Sequence, residues 1–164
     1  MDARTDEGTL VEERRAKVTL PTQREIVITR IFDAPRSLVF EAWTKSEHVA
    51  RWWDPGGLPL AECEIDLRVG GEFRFVNSGP EGAKYPFGGR YVEIVAPERI
   101  VFVPLAGGDA ASTILFEDFE RKTKLTITIR CASEEERDAL LKMGVGEGTR
   151  QTLDNLEVYL GRMA

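Results

Sequence analysis

Residues 32–53 read FDAPRSLVFEAWTKSEHVARWW, and the reading of this stretch decides the fold. Asp33 is placed to cap a helix, Pro35 suits its first turn, and Val39, Ala42 and Trp43 fall at i, i+3, i+4 spacing on one face. Thr44, with Glu47 three residues on, fits a capping box for a second short helix whose apolar face holds Val49 and Trp52. Asp54-Pro55-Gly56-Gly57 stops it. Two short helices joined without slack make a V-shaped hinge. Trp43, Trp52 and Trp53, so close together, wall either a core or a cavity, because each indole is a large apolar body with one N–H to satisfy. Trp52 and Trp53 diverge by about 100° on a helix, so they cannot face the same way.

Upstream, Arg24 to Phe32 reads as a strand with Ile26, Ile28 and Phe32 on one face and Val27, Thr29 and Ile31 on the other. Residues 1–16 are polar and expected to form a flexible N-terminal extension, with residues 17–164 as a single domain and Val18 and Leu20 in a short extra strand. Downstream the period switches to two. Cys63, Ile65 and Leu67 alternate with Glu62, Glu64 and Asp66; Gly70-Gly71 turns the chain back to Phe73 and Phe75. A loop over Asn77 to Lys84, a Gly88-Gly89 pair and strands at Arg90–Val95, Arg99–Val103, Ser112–Phe119 and Thr123–Cys131 follow. In the last strand Leu125, Ile127 and Ile129 alternate with polar residues, so one face must meet a core.

Ser133-Glu134-Glu135-Glu136 is a capping box, and helix is expected to run on to about Arg162. Gly144, Gly146 and Gly148 interrupt it, which predicts a kink or a close backbone approach. This order predicts an α+β fold: a curved antiparallel sheet of about seven strands wrapped around a long C-terminal helix, with two short helices between strands 1 and 2.

The formal charge of -6 and the lack of a basic run argue against nucleic acid. No apolar run approaches the ~20 residues of a membrane span, and the first residues carry no apolar core of a secretion signal, so a cytoplasmic protein is expected. Cys63 and Cys131 lack metal-ligand spacing and read as reduced strand residues. His48 is the single histidine, so a histidine-based metal site or a Ser-His-Asp triad is not expected in its usual form; nothing points to a carboxylate-only or cysteine-only site, and no cofactor or metal is expected. His48 itself reads as a solvated helix residue.

Several motifs, in order, resemble one family. They are residues 24–30 and 32–36, Ala42-Trp43, Arg51-Trp52-Trp53, residues 63–68 with Gly70-Gly71, Gly79-Pro80, Tyr85-Pro86, residues 89–94, residues 97–100 and residues 153–156. Together the chain resembles the activator of heat-shock-protein-90 ATPase homologue-like family, within the START-related helix-grip superfamily typified by birch pollen allergen. The resemblance implies a hydrophobic pocket between sheet and long helix, taking a small apolar molecule. Where relatives often carry a Met and a Gly-Trp in that helix, this chain has Val145 and Gly148-Thr149, which implies a roomier pocket with one added polar contact.

On this footing the lining is expected from Trp43, Trp52 and Trp53 at the mouth and from Cys63, Ile65, Phe73 and Phe75 on the first strands of the sheet. Tyr85, Arg90, Val92 and Phe102 would continue it, then Ile114, Phe116, Ile127 and Ile129, with Met143, Val145, Thr149 and Leu153 from the helix. Alternation points two charges inward, Arg30 and Arg90. No catalytic residue is assigned; Tyr85, Tyr91 and Glu93 are the acid/base candidates if the chain is an enzyme. Two alternatives to ligand binding stand: a co-chaperone-like module acting on a chaperone ATPase, and a cyclase or dehydratase on an aromatic or polyketide substrate. A monomer or weak homodimer is expected.

Overall fold

A computed structural model describes residues 16–54, 57–105 and 111–163. The N-terminal extension expected over 1–16 therefore lies almost wholly outside the described residues, although Ala16 is already buried. The chain builds β1 (Lys17–Thr19), β2 (Glu25–Phe32), α1 (Arg36–Thr44), α2 (Ser46–Val49), β3 (Leu60–Ile65) and β4 (Glu72–Ser78). It continues through β5 (Lys84–Val95), β6 (Arg99–Pro104), β7 (Ala111–Phe119), β8 (Lys122–Arg130), α3 (Glu134–Lys142) and α4 (Val145–Met163). The strands form one eight-stranded antiparallel sheet in the order β1-β2-β8-β7-β6-β5-β4-β3, with α4 as the long C-terminal helix. The eighth strand is β1, which pairs with β2 through Val18↔Ile28.

Alternation holds where it was cleanest. Along β2, Ile26, Ile28, Arg30 and Phe32 are all buried, and β2 pairs β8 over its full length from Glu25↔Arg130 to Phe32↔Thr123. Leu125 and Ile127 of β8, Ile114 and Phe116 of β7 and Leu153, Leu156 and Leu160 of α4 join them in one core. Each fully buried leucine contributes about 1.5–3 kcal/mol relative to exposure.

The helix ends differ from the capping readings. Pro35, not Asp33, is the first residue of the α1 boundary: its carbonyl accepts from the backbone of Leu38 and Val39, and Asp33 lies exposed two residues too early to reach them. Thr44 does not cap α2 either. Its hydroxyl donates back to the Phe40 carbonyl at 2.8 Å, closing the last turn of α1, and Lys45 alone links the two helices. Ser133 does cap α3, its Oγ accepting from the Glu136 N–H at 3.1 Å while a Glu136 carboxylate oxygen accepts from the Ala132 N–H at 3.0 Å. The long C-terminal helix breaks into α3 and α4 at Gly144, whose φ of +87° is the left-handed region that glycine adopts freely. Both halves of the glycine expectation occur, since a Cβ on Gly146 would sit 3.5 Å from Val18, so α4 runs close over β1.

Candidate functional site

Cross-strand register gathers the aromatic residues on the inner face of the sheet. Cys63, Phe75 and Phe87 face one another across β3, β4 and β5, and Ile65, Phe73 and Gly89 form the next row. Phe102 of β6 pairs Tyr91 of β5 beside them. Phe73 lies 4.9 Å from Phe102, 5.2 Å from Tyr91 and 5.7 Å from Phe87, ring centre to ring centre. The chain can close this tightly because Gly89 has no side chain: a Cβ there would fall 2.7 Å from the Phe102 ring and 2.8 Å from the Phe73 ring.

The hinge supplies the opposite wall. Trp52 is buried, its indole N–H donating to the Ala42 carbonyl at 3.0 Å, so it locks the turn after α2 to α1. Trp43 packs edge-on against it at 5.0 Å and is half-buried. Trp53 faces the other way, edge-on to Phe75 at 5.1 Å and stacked on Phe87 at 5.4 Å with the planes 26° apart. Buried Asn77 fixes the loop that carries it by donating to the carbonyls of Trp53 and Leu58. Phe87, at the meeting point, remains 42% exposed. The indole N–H groups of Trp43 and Trp53 have no acceptor among the described residues.

The other residues expected to line a pocket separate into three groups. Ile114, Phe116, Ile127 and Leu153 are buried core, whereas Cys63, Ile65, Ile129, Val145 and Thr149 are half-buried. Tyr85, Arg90, Val92 and Met143 are exposed. The inward reading of Arg90 and Val92 is corrected by a register shift between Tyr91 and Glu93: Tyr91 pairs Phe102 but Glu93 pairs Val101, so the extra residue reverses the phase. Gly89 and Tyr91 therefore face inward and Arg90 and Val92 outward. Met143 is 82% exposed because the helix breaks one residue later and its stripe does not carry across Gly144. Tyr85 lies in the row of Asn77 against Gly79, at the outer limit of the aromatic face.

Arg30 does point inward, as alternation predicts. Its guanidinium bonds the Asp154 carboxylate of α4 and sits 5.1 Å above the Phe32 ring, which joins the sheet to the helix rather than to a ligand. His48 is not simply solvated: Nδ1 lies 2.6 Å from the Tyr159 hydroxyl and Nε2 lies 3.6 Å from Glu41, so it clasps α1, α2 and α4 together. Lys45 beside Glu41 holds that carboxyl below its ordinary value.

The acid/base candidates do not converge. Burial raises the Tyr91 hydroxyl well above its ordinary value, Glu93 accepts from Arg99 Nε at 2.6 Å, and Tyr85 is 52% exposed. Burial pushes the Cys63 thiol up to about 11 and raises that of Cys131 as well, so neither is an activated nucleophile. Among the described residues no group of three or more His, Cys, Asp or Glu gathers as a metal site, and no helix is long and apolar enough to cross a membrane.

Phe87, Asp154 and Tyr159 were not singled out by sequence reasoning. The Tyr85-Phe87-Gly89-Tyr91 alternation could have found Phe87, but the strand expected from the sequence begins only at Arg90, after the Gly88-Gly89 pair, whereas β5 starts at Lys84.

Residues 33–161, most of the chain, match the family described as activator of Hsp90 ATPase homolog 1-like protein. The chain belongs to that family. Solved structures resemble this Hsp90-activator-like chain over nearly its whole length. A Rhodobacter sphaeroides protein is 23% identical with a TM-score of 0.85, covering 91% of this chain and 99% of its own. A Nitrosomonas europaea protein is 26% identical with a TM-score of 0.80, covering 88% and 98%. A protein described as AHSA1-like from Aeromonas hydrophila is 23% identical with a TM-score of 0.67, covering 85% and 93%. No curated protein matches the chain.

Proposed function

We propose that this family member binds a small hydrophobic ligand on the inner face of the sheet, against the rings of Trp53, Phe73, Phe87 and Phe102. The observation that carries the reading is Phe87: it sits on the inner face, stacked on Trp53 and near three further rings, yet is 42% exposed. Phe87 thus offers an open ring beside half-buried Trp53 and backed by the buried rings of Phe73, Phe75 and Phe102, which suits a flat apolar molecule because offset and edge contacts add about 0.5–1.5 kcal/mol per ring pair beyond burial. Half-buried Cys63, Ile65, Ile129, Val145 and Thr149 complete the lining in this reading.

Titration with 1-naphthol, followed by backbone amide and indole NMR shifts, tests the proposal. Shifts are expected to cluster on β4, β5, β6 and the Trp53 indole, and Phe87→Ala is expected to weaken binding about tenfold. Shifts that are absent or confined to the outer face, or an unchanged affinity in Phe87→Ala, overturn it.

The family description favours one second reading, a protein partner of the heat-shock-protein-90 ATPase type. Faster ATP turnover by such a chaperone in the presence of the purified chain would support it, and unchanged turnover would remove it.

A further inference from the structure

One side of α4 away from the core stripe carries Asn155, Val158, Tyr159 and Arg162 at i, i+3, i+4, i+7 spacing. It borders the turn after α2, where Arg51 and Asp54 stand. Between the two lies a depression of about 560 Å³ lined by these six residues. Among the described arginines, Arg36 and Arg137 pair with Asp118 and Asp138, whereas Arg24, Arg90, Arg121 and Arg130 have no carboxylate within 4.0 Å; what sets Arg51 and Arg162 apart is that both line one depression. Neither Arg51 nor Arg162 has a carboxylate within 4.0 Å among the described residues, although acids outnumber bases 28 to 22 in the chain. The one carboxylate in the lining, Asp54, is engaged by the Asn155 side-chain amide. Two guanidinium groups therefore share a depression with a single, already bonded anion. Val158, 59% exposed, adds an apolar surface beside them, and the Tyr159 hydroxyl is held in place by His48.

We propose that this depression is a second ligand site, separate from the aromatic face, that takes a small organic oxyanion between Arg51 and Arg162. A guanidinium presents N–H groups as a planar fork that matches a carboxylate or phosphate two bonds at a time. Two such forks can hold one oxyanion head while Val158 covers a short apolar substituent. Both carboxylate and phosphate fit this chemistry.

The test uses the full chain. Sodium sulfate, acetate and methyl phosphate are titrated at constant ionic strength, reading the arginine Nε–H and Asn155 side-chain NMR signals. Saturable shifts with a Kd near or below about 1 mM are expected for at least one of the three, and the preference among them separates carboxylate from phosphate. The double variant Arg51→Gln/Arg162→Gln is expected to weaken binding at least about tenfold while its circular dichroism and its 1-naphthol titration stay those of the parent. Linear, non-saturating shifts overturn the proposal, as does equal affinity in the folded double variant. Shifts with a polyglutamate peptide but with none of the small ions would also overturn it, in favour of an acidic protein partner.

Discussion

Replacing Asp154 by alanine leaves the Arg30 guanidinium 6% exposed on the Ile26, Ile28 and Phe32 face of β2 with its charge uncompensated. Its Nε already lacks an acceptor, so the Asp154 carboxylate is the one anion that balances it among the described residues. Breaking a buried pair in this way costs about 3–5 kcal/mol. The Asp154 side chain is itself 60% exposed, so water reaches the vacated side and the expected loss falls to about 2–3 kcal/mol. Urea unfolding followed by tryptophan fluorescence measures it, and the melting temperature should drop by about 2–4 °C for each kcal/mol in a chain of this size. Arg30→Met is the control. It removes the charge, leaves an apolar stem among apolar neighbours and returns Asp154 to solvent, so it should cost less than about 1.5 kcal/mol. The double variant should then resemble Arg30→Met alone. An Asp154→Ala loss below about 1 kcal/mol, or Arg30→Met proving the worse of the two, would refute the reasoning.

Other expectations follow from single residues. Gly148→Ala should raise stability by up to about 1 kcal/mol in thermal unfolding, because the added Cβ meets nothing within 4 Å inside a helix, whereas Gly144→Ala should lower it because φ is +87°. Asn77→Ala should cost about 1–3 kcal/mol by leaving two carbonyls without their donor, and should weaken 1-naphthol binding by loosening Trp53. The Cys63 thiol is raised from 9.0 to about 11, so the folded chain keeps a proton that the unfolded chain releases. Its contribution to stability is complete below 9.0 and is lost as pH rises toward about 11; denaturant unfolding across that window should fall more steeply for the parent than for Cys63→Ala.

Phase is what the sequence carried well. Arg30 could be placed inward because Ile26, Ile28 and Phe32 lock the alternation of β2 on both sides of it. Arg90 and Val92 could not, since the extra residue at the Tyr91/Glu93 shift leaves no mark in the local pattern, and β5 is apolar on both faces near that point. Caps were legible only in part. Ser133 has a free approach to the Glu136 N–H, but Thr44 sits within one residue of two helices and its hydroxyl takes the nearer carbonyl behind it. Trp52 and Trp53 had to diverge, yet which one faced the rings depended on Phe87, a neighbour 34 positions away that lies ahead of the strand start expected from the sequence. The His48–Tyr159 contact spans 111 positions and has no local signal at all.

Among the described residues the open sheet ends in two rims of unpaired backbone, and both are poor templates for another chain. One is β1, three residues long. The other is β3, where a register shift between Leu60 and Glu62 interrupts the regular ladder and Glu62 and Glu64 stand exposed. A second copy adding its own β3 edge to this one would bring glutamates against glutamates across a broken register. The eight strands are thereby protected against growing into a ninth, and this barrier to rim-to-rim aggregation should fall when Glu62 and Glu64 are replaced by threonine.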